Sequence, residues 1–511
     1  MSTTIAVSPV TRIEGHLAVH TETEEVDTGD TPIYRITEAR CEGEMFRGLE
    51  QILRGRDPLD AQQITQRVCG VCPISHGIAS VRAQEQAYGI KPSRNGRLLQ
   101  NLIQGANYLQ SHVLHFYHLA ALDFVDVTAV LGYGGTDPTL KTVKAWVEGA
   151  LARKEVFPAA PFLPRYECDY IKSADRNVTL VGHYVKALDL RRRCHEMAAV
   201  FGARLPHSTA LIPGGCTQTP TLERVLAYTS RLKEVLSFIE STYIPDLIEA
   251  AAEFPQYFEI GGGYGNFLCY GVFDLDDSGN KFHRPGVVLD GKWEPLDVKQ
   301  ITEEVKHSSY VDIGARYPGE GDTQPQAGKP GAYSWIKAPR YKGQPMEVGA
   351  LARIMVNYKA GDGGWVKKEV DGFCSSLNLS VDKLVSVLGR HVARGLESVW
   401  LAKQCFKWLE EIEVDTPATT DFTIPESGSG VGLTEAPRGA LGHWLSIKDH
   451  HISNYQCVVP TTWNCSPRDA QGKPGPVEKA LEGIEIKDPA QPIEMGRLVR
   501  SFDPCIACAV H

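Results

Sequence analysis

Two Cys-x-x-Cys pairs stand near opposite ends of the chain, Cys69-Gly70-Val71-Cys72 and Cys505-Ile506-Ala507-Cys508. A two-residue spacer lets two thiolates face one metal, and four thiolates suit zinc, an iron-sulfur cluster or another soft transition metal. A structural zinc site normally closes its ligands within a few dozen residues, because it staples a unit too small for a core. A chain of 511 residues has no such need. The pairs therefore point to a reactive metal centre in the middle of the protein. The remaining cysteines are scattered singly and read as packing residues, with Cys457 kept open. Arg12, Glu14 and His16 follow at period two in a strand-like segment, which puts them on one face, either solvated or as a polar cluster beside the metal. His112, His115 and His118 span too wide a helical arc for one small ion and read as satisfied core histidines. No phosphate-binding Gly-x-x-x-x-Gly-Lys-Ser/Thr loop occurs, so nucleotide hydrolysis has no support.

The elements that must position these residues can be read from the periodicity. Alternation at Ile5 and Val7, at Ile13, Leu17 and Val19, and over Ile33 to Glu42 predicts a small N-terminal antiparallel sheet. Helical spacing predicts long helices over Ser93 to Phe124, Arg176 to Arg204, Thr221 to Phe254 and Ser380 to Ile412. Four long helices with broad apolar stripes imply a central bundle with ligand sites on its facing surfaces and ends. The fold class is accordingly mainly α with peripheral β, an α+β protein. We read one interwoven domain over 1–511. Within it, 1–58 is a β region, 59–260 a first helical half with a Cys-x-x-Cys pair, and 261–375 an irregular insertion. The last part, 376–511, holds the final helix and the metal-binding segment, which from Arg438 onward reads as loop-rich with a short strand near Tyr455 to Val459.

Composition narrows the classes. Hydrophobic residues at 42% and charged residues at 23% describe a folded globular chain, not a disordered or fibrous one. A net charge of −9 without a long basic run argues against nucleic acid as a partner. The most apolar stretch, Ala120 to Gly132, is interrupted by Asp123 and Asp126, so no membrane span is expected. The N-terminus shows no basic-then-apolar export signal.

Several longer stretches go beyond spacing: Arg12-Ile13-Glu14-Gly15-His16, Met45-Phe46-Arg47-Gly48-Leu49-Glu50, Arg67-Val68-Cys69-Gly70-Val71-Cys72, and Asp503-Pro504-Cys505-Ile506-Ala507-Cys508-Ala509-Val510-His511. With Glu435-Ala436-Pro437-Arg438-Gly439 and Asn464-Cys465-Ser466-Pro467-Arg468-Asp469, they resemble the large, catalytic subunit of nickel-iron hydrogenases over essentially the whole chain. The resemblance implies that Cys69 and Cys505 are terminal nickel ligands. Cys72 and Cys508 would bridge nickel to an iron carrying carbon monoxide and cyanide. It further implies that Glu50 and His511, with the backbone carbonyl of Cys457, hold magnesium or a similar hard cation. Pro437, Arg438 and Asp503 would roof the metals, and His76 would partner a bridging thiolate. A chain ending at His511 matches the processed form of the family. Many members have Asp where this chain has Ser111; that variant is similar to the selenium-containing branch, whose selenocysteine falls at position 505, here Cys.

The activity implied is reversible heterolytic cleavage of molecular hydrogen. A metal must polarise a molecule without charge or hydrogen bonds, and a base must take the proton. Cys505 is the expected base and Glu14 the expected outward relay. Arg438 fixes a positive charge, its high pKa making base duty costly. The chain has no third cysteine cluster, so electrons imply a small subunit carrying iron-sulfur clusters. Export together with that partner would make the protein periplasmic or membrane-associated. Two alternatives make different metal predictions: a complex-I-like quinone reductase subunit lacks the metal cysteines, and a structural zinc protein binds zinc and no nickel.

Overall fold

The computed structural model describes residues 2–29, 31–154, 165–361 and 364–511. The helices Arg94–Leu114, Ala174–Gly202, Leu222–Phe238 and Val387–Glu410 pack together at the centre, as their apolar spacing predicts. Their starts are set by capping hydroxyls: Ser93, Ser173, Thr221 and Ser386 accept the N–H groups of Gly96, Arg176, Arg224 and Gly389. Every residue from Asn95 to Leu114 is buried, so this helix is the axis of the protein and its polar side chains must find partners inside.

Three helices depart from the expected ranges, Ser380 to Ile412 being α-helical only over Val387–Glu410 after the 3-10 turn Val381–Leu384. The Ser93 to Phe124 stretch is α-helical only to Leu114, widens into a π-turn at His115–Ala120 and closes in the 3-10 turn Ala121–Asp123. There His115 Nε2 meets the Arg500 carbonyl at 2.7 Å and His118 Nε2 the Tyr184 carbonyl at 3.2 Å, while His112 Nε2 meets Glu397 at 2.7 Å. The three histidines thus bond to separate partners through Nε2, while the buried Nδ1 of each has none among the described residues. Thr221 to Phe254 is divided by a π-turn at Ile239–Tyr243, which ends two residues before Pro245, a residue with no N–H to continue the helical ladder.

The N-terminal sheet pairs Ser2–Val7, Leu17–Val26 and Ile33–Gly43 antiparallel and is completed by Glu485–Ile486 from the far end of the chain. The segment 8–16 is not a strand. Arg12 and Gly15 have φ of 56° and 81°, which breaks the alternation, so the shared face expected for Arg12, Glu14 and His16 does not exist. Arg12 turns to Asp123, Glu14 turns to Cys505, and His16 is exposed.

The stretch 261–375 is more regular than its Gly and Pro content suggests, with several short strands and the helices Ala350–Lys359 and Trp365–Ser376. The C-terminal part is not loop-rich either. Ser427–Ala436, Gly439–Lys448 and His451–Val458 form a three-stranded antiparallel sheet, followed by four short helices. The first of these strands contains a Ser-Gly-Ser-Gly-Val-Gly run. Its glycines serve contact: a Cβ on Gly432 would lie 1.8 Å from the Ala79 carbonyl oxygen, because the Pro73–Tyr88 helix lies directly on this sheet.

Candidate active site

Each cysteine pair is placed by a chain reversal. Cys69 follows the 3-10 turn Gln66–Val68, and Cys72 precedes the Pro73–Tyr88 helix. Cys505 precedes the short Ile506–Ala509 helix and follows Asp503, whose φ of 55° is a conformation Asp tolerates better than most residues. The N-terminal segment clamps this turn. Glu14 N–H donates to the Pro504 carbonyl at 3.3 Å and Ile506 N–H to the Glu14 carbonyl at 2.9 Å. Gly15 permits the approach, since a Cβ there would lie 2.9 Å from both Ala507 N and Ile506 Cβ. The Thr461 hydroxyl accepts the Cys505 N–H at 2.9 Å.

The result is a single cluster of four buried, free thiols. Cys69 and Cys505 Sγ are 3.4 Å apart, Cys72 and Cys508 Sγ 3.5 Å, and Cys505 and Cys508 Sγ 2.7 Å. All four ligand atoms lie within 4.8 Å of one another. Hydrogen bonds from Cys505, Cys508 and Cys72 hold the Cys69 thiol well below its ordinary value, whereas burial pushes Cys505 and Cys508 up. Four thiolates cannot coexist in so small a dry space without a cation, and the donor set is that of a soft transition metal. The residues fit nickel and iron.

Around the thiols stand three groups. Glu14 Oε2 lies 3.1 Å from Cys505 Sγ and accepts the Ala507 N–H at 3.0 Å. Burial, then the Cys69 charge, raises its carboxyl above the usual range. Arg438, next to Pro437 in the turn between two strands, donates to the Asp503 carbonyl at 3.0 Å and pairs with the Asp503 carboxylate at 2.9 Å. Its remaining contact is Ser111 Oγ at 3.4 Å. Burial opposes the Arg438 charge, but Asp503 first, then Cys505, Cys72 and Cys69, hold the guanidinium well above its ordinary value. His76, one turn beyond Cys72, has Nδ1 3.3 Å from His443 Nε2.

A second group joins both chain ends. His511 Nε2 is 3.1 Å from Glu50 Oε1, His511 Nδ1 is 2.7 Å from the Cys508 carbonyl, and Cys457 N–H donates to Glu50 at 2.7 Å. Ligand atoms of Glu50, Cys457 and His511 lie within 4.8 Å of one another. Burial alone would raise the Glu50 carboxyl, but Lys337 and His511 keep it well below the usual range.

The family of nickel-dependent hydrogenases matches residues 47–511, a span holding all four cysteines. The chain belongs to this family. It is 43% identical to the periplasmic [NiFeSe] hydrogenase large subunit of Desulfomicrobium baculatum, covering 99% of this chain and 94% of that protein. It is 35% identical to the hydrogenase-1 large chain of Escherichia coli, covering 99% and 94%. Among solved structures, the H2-activated Dm. baculatum [NiFeSe]-hydrogenase superposes with a TM-score of 0.88 at 43% identity, over 100% of both chains. The reduced Ni-Fe-Se hydrogenase from D. vulgaris Hildenborough gives 0.88 at 42%. The protein is thus a catalytic hydrogenase subunit, an oxidoreductase acting on molecular hydrogen with nickel and iron, and it works with a small subunit.

Three contributors to the hydrogenase site escaped sequence reasoning. Lys337 Nζ lies 3.1 Å from Glu50 Oε2 and 3.7 Å from Glu303, a fixed positive charge in the second group. His443 is the partner of His76. Arg353, paired with Glu397 at 2.6 and 2.7 Å and with Glu435 at 2.9 Å, donates to the Ala436 and Pro437 carbonyls at 3.0 Å each and so holds the turn bearing Arg438. These partners are distant in sequence, so spacing carries no trace of them; only Glu435, inside a family-like stretch, offered a signal.

Proposed function

We propose that the four-cysteine cluster holds nickel and iron, with Cys69 and Cys505 as terminal nickel ligands and Cys72 and Cys508 bridging to an iron that carries carbon monoxide and cyanide. The observation that carries this reading is the convergence of both Cys-x-x-Cys pairs, with Glu14, in one buried site. Bound there, the metals polarise molecular hydrogen so that proton and electrons part. The chain's own groups handle the proton. Cys505 Sγ accepts it, and Glu14, in hydrogen-bond reach and with its acidity weakened by burial, takes it onward. Arg438 and Asp503 form a fixed, dry ion pair above the thiols, which sets the local field without exchanging protons. Pro437 holds Arg438 in its turn, and His76 supports a bridging sulfur.

Glu50 and His511, whose ligand atoms lie within 4.8 Å of each other and of Cys457 Sγ, would hold magnesium or a similar hard cation, with the Cys457 carbonyl as the further oxygen that the family resemblance implies, and the buried His511 ties the C-terminal turn to the Leu49–Leu53 helix. Among the described residues, no other group of three or more His, Cys, Asp or Glu side chains is placed to hold a metal. Electrons therefore leave through the partner, whose small-subunit role calls for iron-sulfur clusters. One relative is named periplasmic and another, from Wolinella succinogenes, quinone-reactive. These names support a periplasmic or membrane-associated location reached together with the small subunit; no described helix is long and apolar enough to cross a membrane. Metal analysis of the purified complex tests the reading: nickel and iron, each stoichiometric with this chain, are expected, and stoichiometric zinc with no nickel would overturn it.

A further inference from the structure

Arg353, on the Ala350–Lys359 helix, is fully buried, and each N–H of its guanidinium has an acceptor. Nε and Nη2 donate to the two oxygens of Glu397 at 2.6 and 2.7 Å. Nη1 donates to Glu435 Oε2 at 2.9 Å and to the Ala436 carbonyl at 3.0 Å, and Nη2 donates also to the Pro437 carbonyl at 3.0 Å. The acceptors are themselves fixed from other elements. Glu397 meets His112 Nε2 at 2.7 Å and His283 Nε2 at 3.1 Å, and Glu435 Oε1 accepts the Tyr270 N–H at 2.7 Å.

The Ala436 and Pro437 carbonyls belong to the two peptide units that lead into Arg438. On its other side, Gly439 has φ of 133°, and a Cβ there would lie 2.6 Å from Gly349 N, at the start of the helix that carries Arg353. The root of Arg438 is therefore seated on this helix from both directions. Its tip is held less evenly. One edge of the guanidinium meets the Asp503 carboxylate at 2.9 Å and the Asp503 carbonyl at 3.0 Å, whereas Nη1 meets only Ser111 Oγ, at 3.4 Å, a long contact for a charged donor. A side chain anchored along one edge pivots unless its root is fixed.

We propose that Arg353 is a positioning residue for the hydrogen reaction: its planar fork fixes the two peptide units before Arg438 and so sets where the Arg438 charge stands beside the cysteine cluster, a placement that the long contact to Ser111 does not secure. The inference rests on the nickel-iron reading of that cluster. A fixed charge helps a reaction only when it is held where charge develops, and a misplacement of about 1 Å costs up to about 100-fold in rate.

The test is a double-mutant cycle on the purified complex with its small subunit, using Arg353→Lys, Ser111→Asp and the two together. Lysine keeps the positive charge but has no planar fork, so it cannot hold both carboxylates and both carbonyls. Nickel and iron content, melting temperature, and kcat and KM for hydrogen are measured together. Arg353→Lys should keep its metals, lose about ten-fold in kcat and leave KM within about two-fold, because the charge is displaced while hydrogen entry is untouched. Ser111→Asp puts a carboxylate where the hydroxyl contact stands and anchors the guanidinium along its second edge. In that background Arg353→Lys should cost less than about three-fold in kcat, while its loss of melting temperature persists. A merely structural role predicts the same kcat cost in both backgrounds. That result, or wild-type kcat in Arg353→Lys, would overturn the proposal. Should Arg353→Lys fail to assemble, the cycle is run with Glu435→Gln, which takes one charged acceptor from the fork, and the same two outcomes there are equally fatal. Absence of nickel from the wild-type protein would instead end the metal reading itself, and this inference with it.

Discussion

Replacing Glu14 by Gln separates proton transfer from architecture. In the wild-type site, Glu14 Oε2 is 3.1 Å from Cys505 Sγ, and the same oxygen accepts the Ala507 N–H at 3.0 Å. Gln keeps the length and the acceptor oxygen, and the backbone bonds from Glu14 to Pro504 and Ile506 do not involve the side chain. Stability should therefore change by less than about 1 kcal/mol, the worth of one ordinary hydrogen bond. Rate should change far more. A positioned carboxyl in proton transfer contributes roughly 10²- to 10⁴-fold, about 3–5 kcal/mol of barrier, and an amide supplies none of it. Glu14→Asp retracts the carboxyl by about 1.5 Å, beyond direct reach of the sulfur, and should fall between the two. The assay is exchange of deuterium gas with solvent protons, run beside metal analysis and a dye-linked oxidation rate. Glu14→Gln should retain nickel and iron and lose at least about 100-fold in exchange. Exchange within about three-fold of wild type, at full metal content, would remove Glu14 from the proton path.

Asp123 accepts hydrogen bonds from Arg12 and from Arg500 at 2.8 Å, so Asp123→Asn leaves buried guanidinium charge uncompensated. A loss of about 3–5 kcal/mol is expected in the thermal unfolding of the complex, with a parallel loss of activity because Arg12 anchors the segment carrying Glu14; an unchanged melting temperature would refute the anchor. Glu478 is buried, bonded to the Cys41 and Gly475 N–H groups and the Tyr333 hydroxyl, and burial pushes its carboxyl up to about 7. A raised carboxyl favours the fold while protonated. Its contribution, about 3 kcal/mol, is complete below the unfolded-state value near 4.5 and is lost as pH rises through 7. Glu478→Gln should therefore flatten that share of the stability profile between pH 4.5 and 8, and calorimetric profiles that remain parallel would count against it. Gly432→Ala places a Cβ 1.8 Å from the Ala79 carbonyl oxygen, so the helix beginning after Cys72 must lift from its sheet. A destabilisation of about 1–3 kcal/mol and reduced metal occupancy are expected, both readable from melting temperature and metal content; full occupancy at wild-type stability would show that the helix can move without cost.

The primary structure already determined the chemistry of this protein and much of its framework. Two soft-ligand pairs cannot both be accidents in one chain, and stripes of Leu, Ile and Val at helical period commit long segments to a bundle whatever else happens, because burying them dominates the energetics. The family stretches added the identity of the reaction. What only the tertiary structure decided is where polar side chains turn once those segments pack. Arg12, Glu14 and His16 look equivalent in sequence, yet a left-handed residue at Arg12 and another at Gly15 send the first to Asp123, the second to Cys505 and the third to solvent. The glycines at 428, 430 and 432 acquire their reason only when the helix that needs their missing side chains is laid across the sheet. Lys337, Arg353 and His443 carry no local signal at all, since each acquires its role from partners brought close by the fold. Periodicity reports the large, additive force of apolar burial, whereas a hydrogen-bonded polar site depends on ångström-scale geometry that exists only after that burial is complete.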